Sequence, residues 1–465
     1  MRYIYVFLFF CLFSNTVKSQ EFAVKKNHLT DSIAIPDSDI TFAMYLPGSF
    51  DINTSSPVLF VFDPYESASL AIRNFRLVSS EFGMPIVALN HPMSQLKEEN
   101  LTLFAALYKQ VFSILPETNE IYYAGFSSAA ALATTIGSRL GNSAGLILCG
   151  ANYGVIEKMN YLRNRDMPVI GLVGDEDFTY HSMQSVHRYL TRKKVANDLI
   201  LFKGGHYWPT ADYLQQALQW IYVKRAIIGK YPQHEIVTPK LYQKHYDYAQ
   251  SLIDSKNLYF GEKALSRTEK NYRSLFKTDS LISKLENLRR DKDFRRFKRG
   301  ENGAGFGEND ILNSFSTLLE EDIKNASFQN FPFWEDELVQ FKSYEKGTIY
   351  FQKKLKRIKG MLFHTCAESV PLYDEEEGID NLIFIYEFMV YIKPGYHKAY
   401  LELIQLYTKV GEVDNALSSM EVLFKNGYKD EDALKLLPGV STLKSQPEFW
   451  EILDTYPLPE DKKDQ

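Results

Sequence analysis

The residue types and spacing that suggest chemistry converge on Ser127, on the acidic segment after Gly174, and on His206. Ser127 stands in Gly125-Phe126-Ser127-Ser128-Ala129, at the end of a β-type run from Ile121 and the start of an alanine-rich helical run. A serine hydroxyl is a weak nucleophile until a base takes its proton, and the usual base is a histidine oriented by a carboxylate. Small residues at 125 and 129 allow a strand to turn sharply into a helix, which pushes the Ser127 hydroxyl outward. The helix start also offers backbone N–H groups, that of Ser128 included, to an oxygen that gains charge during attack. Downstream, the run PVIGLV ends in Gly174-Asp175-Glu176-Asp177, and LILFK ends in Gly204-Gly205-His206. Serine, acid and histidine therefore occur in a workable order, each just past a β-type run, where open α/β sheets bind ligands. At this point both Asp175 and Asp177 are open as the acid.

Each of these residues also has a plainer reading. Ser127 can cap the helix that follows it, and Asp177 can cap one beginning near Thr179. His206 lies between Gly204-Gly205 and Trp208-Pro209, a tight turn rather than an apolar face. His181 and His187 are expected on the surface of a helix, and His91 in a loop. Gly303-x-Gly305-x-Gly307 follows no strand and reads as a flexible turn, not a nucleotide fingerprint. The adjacent carboxylates Asp374 to Glu377 lack the spaced ligands of a calcium loop. No metal site and no organic cofactor is implied.

The elements that must position these residues alternate between short β-rich runs and longer helical ones. The β runs are Ser32–Ile35, Thr41–Leu46, Pro57–Phe62, Pro85–Asn90, Ile121–Ala124, Gly145–Cys149, Pro168–Val173 and Asp198–Phe202. Several are continuously apolar, as strands covered on both faces are. Helical patterns fall at Leu101–Leu115, Ser128–Leu140, His181–Leu190 and Ala211–Ile228. The alternation predicts an α/β domain over 30–230, built on a doubly wound, mostly parallel sheet. Residues 231–239, with Pro232 and Pro239, read as a linker. From 240 to 460 the pattern is all-helical, with turn signals at Gly300–Gly307, Phe331–Phe333, Pro371–Gly378 and Pro394-Gly395. Near 397–430, Tyr400, Leu403, Tyr407, Gly411, Ala416, Met420 and Leu423 fit a tetratricopeptide-like helix-turn-helix unit, with Asn381–Lys393 as a neighbouring helix.

The whole chain has 465 residues, 53 Lys+Arg against 58 Asp+Glu, and a formal charge of -5. That length allows two or three domains at roughly 150 residues each. The charge gives no basic footprint for nucleic acid, and the run Arg289–Arg299, which also holds Asp291 and Asp293, reads as a solvated helix end. At the start, Arg2 followed by the apolar run Tyr3–Phe13, with Val17 and Ser19 before Gln20, predicts a signal peptide over 1–19. Export to the periplasm or medium is the expectation, with no transmembrane span in the mature chain. Cys149 and Cys366 would remain, and no disulfide between them is expected. Aromatic residues are abundant, with 32 Phe and 30 Tyr. Helix packing is their expected role.

The motifs FVFDP (60–64), YYAGFSSAA (122–130), GLVGDEDF (171–178) and GGHYWP (204–209) together resemble the α/β-hydrolase superfamily, of the esterase and dienelactone-hydrolase kind. Specifically, the chain looks like an exported bacterial subgroup with a helical, tetratricopeptide-like C-terminal part. The resemblance implies a triad of Ser127, Asp177 and His206, with Asp175 as the alternative acid. It further implies an oxyanion hole from the backbone N–H groups of Ser128 and Tyr65. The chain departs from the pattern where Asp63-Pro64-Tyr65-Glu66-Ser67 replaces the His-Gly that relatives often carry. The implied activity is hydrolysis of a carboxylic ester or related acyl bond in a small-molecule substrate. The alternative is an inactive hydrolase-fold binding protein whose helical part recognises a peptide, protein or glycan.

Overall fold

A computed structural model describes residues 24–65, 68–92, 98–151, 154–159, 166–327 and 330–456. The expected signal peptide lies outside the described residues, as do Glu66 and Ser67. The β-rich runs form one eight-stranded sheet: β1 (Leu29–Ala34), β2 (Thr41–Tyr45), β3 (Val58–Phe62), β4 (Ile86–Leu89), β5 (Ile121–Phe126), β6 (Ser143–Cys149), β7 (Val169–Gly174) and β8 (Asn197–Phe202). Their order is β1-β2-β4-β3-β5-β6-β7-β8. Pairing is antiparallel for β1 with β2 and β2 with β4, and parallel for β3 with β4, β3 with β5, and β5 with β6. The parallel strands need crossovers, which the helices Ala68–Asn74 and Arg76–Phe82 supply between β3 and β4, Glu98–Ile114 before β5, and Ala129–Arg139 between β5 and β6. Every residue of β3, β5 and β6 is buried, as their largely apolar sequences require.

Compact packing divides the chain into two units. The first runs to Cys149 and adds Gly154–Val169 and Trp208–Ile221; the second holds Ile170–Tyr207, a short piece at Gly150, and the chain from Tyr222 onward. In the first, Phe60 of β3 packs edge-on against Phe104 at 5.3 Å and stacks on Tyr123 at 6.1 Å, so the aromatic excess fills the space between sheet and crossover helix. Cys149 and Cys366 are both buried free thiols.

The C-terminal region is helical. Helices His397–Val410 and Val413–Lys425 meet at Gly411, whose φ of 83° ends the first helix in the left-handed conformation. Ala416 is fully buried there, and the preceding helix Ile379–Ile392 contributes Phe384, Ile385 and Phe388 to the same core. Residues 231–239 contain a short helix, Gln233–Ile236, and Thr238 then caps the helix Pro239–Asp254 by accepting from the Leu241 N–H.

Two turn signals lie elsewhere than expected. The helix Lys292–Ala304 runs through Gly300 and Gly303, and the break is confined to the residues after it. Gly300 is needed because a Cβ there would come 2.2 Å from the Tyr350 ring. Phe331-Pro332 starts the helix Phe331–Glu345 rather than interrupting one, since proline is tolerated in a first turn. His181 and His187 are half-buried rather than exposed.

Candidate active site

Ser127 follows β5 with a φ of 52°, an unusual value for a residue with a side chain. Its N–H donates to Cys149 O at 2.9 Å, which ties the turn to the end of β6. A Cβ on Gly125 would come 2.6 Å from Ala130 Cα, so only glycine permits the helix Ala129–Arg139 to start this close to the strand. Ser128 holds the capping position without a side-chain capping bond. The Ser128 N–H has no protein partner among the described residues, as an oxyanion donor requires.

The loop after β3 has a different arrangement. The Tyr65 N–H donates to Asp63 Oδ1 at 2.8 Å, and the Trp208 indole N–H donates to Asp63 Oδ2 at 2.6 Å. Trp208 packs in turn against Phe75 and Phe126, with ring centroids 5.6 and 5.3 Å away. Asp63 thus pins the loop to the indole, and an oxyanion role for Tyr65 requires its bond to Asp63 to be exchanged.

In the second unit, Asp177 and His206 form a pair. His206 Nδ1 lies 2.9 Å from Asp177 Oδ1, with side chains 10% and 1% exposed. A carboxylate only accepts, so in the neutral imidazole this bond puts the proton on Nδ1 and the lone pair on Nε2. Asp177 Oδ1 also accepts from the Thr179 N–H and hydroxyl, each at 2.8 Å. The same carboxylate therefore orders the turn into the helix Tyr180–Arg192 and faces the imidazole. Asp175 is held elsewhere: Oδ1 accepts from the Gly204 N–H at 3.1 Å, and Oδ2 lies 2.6 Å from Lys353 Nζ.

Glycines let these loops approach. Gly150, at φ 55°, would place a Cβ 3.1 Å from both Asp177 Oδ2 and His206 Cε1. A Cβ on Gly174 would come 2.2 Å from Gly204 O, where Glu176 N–H donates at 2.8 Å.

Helix Ile349–Ser369 contributes residues that sequence reasoning missed. Lys353, Arg357, Gly360 and His364 recur at spacings of three or four and so lie on one face, with Lys356 beside Arg357. Lys356 pairs with Glu176 at 2.7 Å, and Arg357 Nη1 donates to Asp175 O at 2.7 Å. The rest of the Arg357 guanidinium makes a two-pronged pair with buried Glu308, at 2.6 and 2.8 Å. Burial pushes the Glu308 carboxyl up, but contacts with His181 and Arg357 outweigh it and hold the group below its ordinary value. Farther along, the His364 ring meets His206 edge-on at 5.0 Å, and Phe178 fits against both, 4.2 Å from His206 and 5.1 Å from His364. Gly150, Trp208 and this helix carry no local signal for such roles; only the GGHYWP motif touched one of them.

Among the described residues no cluster of His, Cys, Asp or Glu could hold a metal ion, and no helix is long and apolar enough to cross a membrane. No family model matches the chain, and no curated protein does. The N-terminal part is an α/β domain on a mixed, mostly parallel eight-stranded sheet, with a strand–turn–helix elbow after β5. Solved structures similar to it include the fluorophosphonate-binding serine hydrolase FphF of Staphylococcus aureus, 17% identical over 40% of this chain and 90% of that one, with a TM-score of 0.33. S-formylglutathione hydrolase FrmB from the same species is 16% identical over 44% and 97%, TM-score 0.33. Est1E from Butyrivibrio proteoclasticus is 14% identical over 43% and 99%, TM-score 0.33.

Proposed function

We propose that the chain is an exported serine hydrolase acting on a carboxylic ester or related acyl bond. The buried Asp177–His206 pair, 2.9 Å apart, is the observation that carries the reading. In the proposed reaction, Ser127 Oγ attacks the acyl carbon while His206 Nε2 takes the hydroxyl proton. Asp177 keeps the imidazole in the right tautomer and offsets its positive charge. The Ser128 N–H stabilises the oxyanion. His206 then returns the proton to the leaving alcohol, and water, deprotonated by the same nitrogen, releases the acid from Ser127. The positive φ of Ser127 supports its part, since a nucleophile elbow needs that left-handed turn between strand and helix. A fluorophosphonate probe tests the proposal: the wild-type chain should be labelled and Ser127→Ala should not. Equal labelling of the two would remove Ser127 from the role.

One observation favours a second reading. The Tyr65 N–H is engaged by Asp63, which leaves one ready oxyanion donor where two are usual. A hydrolase-fold binding protein, using its tetratricopeptide-like helices for a peptide or glycan, fits that arrangement. It predicts no labelling of the wild-type chain at any probe concentration.

A further inference from the structure

Within the second unit lies a cavity of about 280 Å³ that the proposed acyl chemistry does not use. Three cations line it, Lys203, Lys256 and Arg296, and among the described residues none of them makes an ion pair. Lys353 and Asp175 line it as well but pair at 2.6 Å, with Glu301 3.7 Å from the same Lys353 nitrogen, so among the lining residues Asp293 is the carboxylate left to oppose the three cations. The apolar wall is aromatic: Tyr259 stacks near Phe297 with centroids 5.3 Å apart at 28°, and Tyr350 meets Phe297 edge-on at 5.4 Å. All three rings line the cavity and are only half-buried.

We propose that this cavity is a binding site for a small organic anion carrying an aromatic ring, such as an aryl carboxylate. A flat ring gains from offset or edge contacts with Tyr259, Phe297 and Tyr350, and its displacement of water from apolar surface adds to them. The acid group meets donors that have no carboxylate of their own, so binding it does not require an existing ion pair to break. Ring and charge have to be on one molecule, because the exposed cations alone give weak, screened attraction. The volume sits at the small end of ligand pockets, which suits a ligand of one or two rings.

Naphthoate, a fluorescent aryl carboxylate, is the probe, titrated against the full chain. The expected result is saturable one-to-one binding that weakens about tenfold or more in Lys256→Ala/Arg296→Ala. Naphthylmethanol, which has the ring without the charge, and inorganic phosphate, which has the charge without a ring, should each bind at least about tenfold more weakly. Both substituted side chains are exposed, so the double variant keeps its fold, and an unchanged melting temperature checks this. Absence of saturation, equal affinity in the double variant, or equal affinity for phosphate alone each overturns the proposal. Ser127→Ala should bind naphthoate as well as wild type does, so failure here is separable from failure of the hydrolase reading.

Discussion

Asp175 and Asp177 are two positions apart, yet they face different partners. Asp177 faces His206 at 2.9 Å and Asp175 faces Lys353 at 2.6 Å. Substituting each in turn separates chemistry from support. Asp177→Asn removes the charge that balances the imidazolium and permits the wrong tautomer, so kcat on a short activated ester should fall about a thousand- to ten-thousand-fold with little change in KM. Asp175→Asn should leave kcat within about tenfold and lower the melting temperature instead, because Lys353 loses its buried partner. The reverse pattern would reassign the acid. The three triad candidates were legible in the sequence because each sits in a short motif whose neighbours state its geometry, as Gly125 and Ala129 do for Ser127. Gly150 was not, since its need for a missing Cβ arises only when Asp177 and His206 are folded against it. The oxyanion role that the resemblance implies for the Tyr65 N–H takes no account of the Asp63 side chain that engages it.

At the scale of elements, helix Ile349–Ser369 does for the acid loop what a strand neighbour does for a strand. It supplies a donor to the Asp175 carbonyl, a cation to the Asp175 carboxylate and a ring beside His206. Arg357 is the centre of this brace, fully buried between Glu308 and the loop. Breaking one side of a buried pair costs far more than replacing both sides, because an uncompensated charge remains. Arg357→Met should therefore destabilise the chain by about 3 to 5 kcal/mol, read from the denaturant midpoint at constant slope. Arg357→Met with Glu308→Met should recover more than half of that loss. If the double variant is no better than the single, the pair contributes through something other than charge compensation. The strand runs were legible because periodicity and apolar content are local properties. This contact is not local: 182 positions separate Arg357 from Asp175, and nothing in either segment names the other.

At the scale of the whole molecule, the division between compact units predicts that a fragment ending before the C-terminal helices is an insufficient piece of this chain. The acid loop, the His206 turn and β8 belong to the same unit as the helices from Tyr222 onward. A chain ending at Lys230 keeps every residue of the proposed triad but loses Lys353, Lys356, Arg357, Glu308 and His364. Asp175 would then have no cation, its carbonyl no Arg357 donor, and Phe178 no His364 ring. Each lost polar partner that stays out of water costs about 1–3 kcal/mol, and net stabilities of whole proteins are only about 5–15 kcal/mol. The fragment should therefore aggregate, or fold with a disordered acid loop, and in either case fluorophosphonate labelling should fall by at least about a hundredfold relative to the full chain, since the proposed mechanism needs an ordered histidine to activate the serine. Labelling and sedimentation of the 1–230 fragment beside the full chain decide the matter. A soluble, monomeric fragment labelled at the full rate would show that the helices serve another purpose than holding Asp177 and His206 in register.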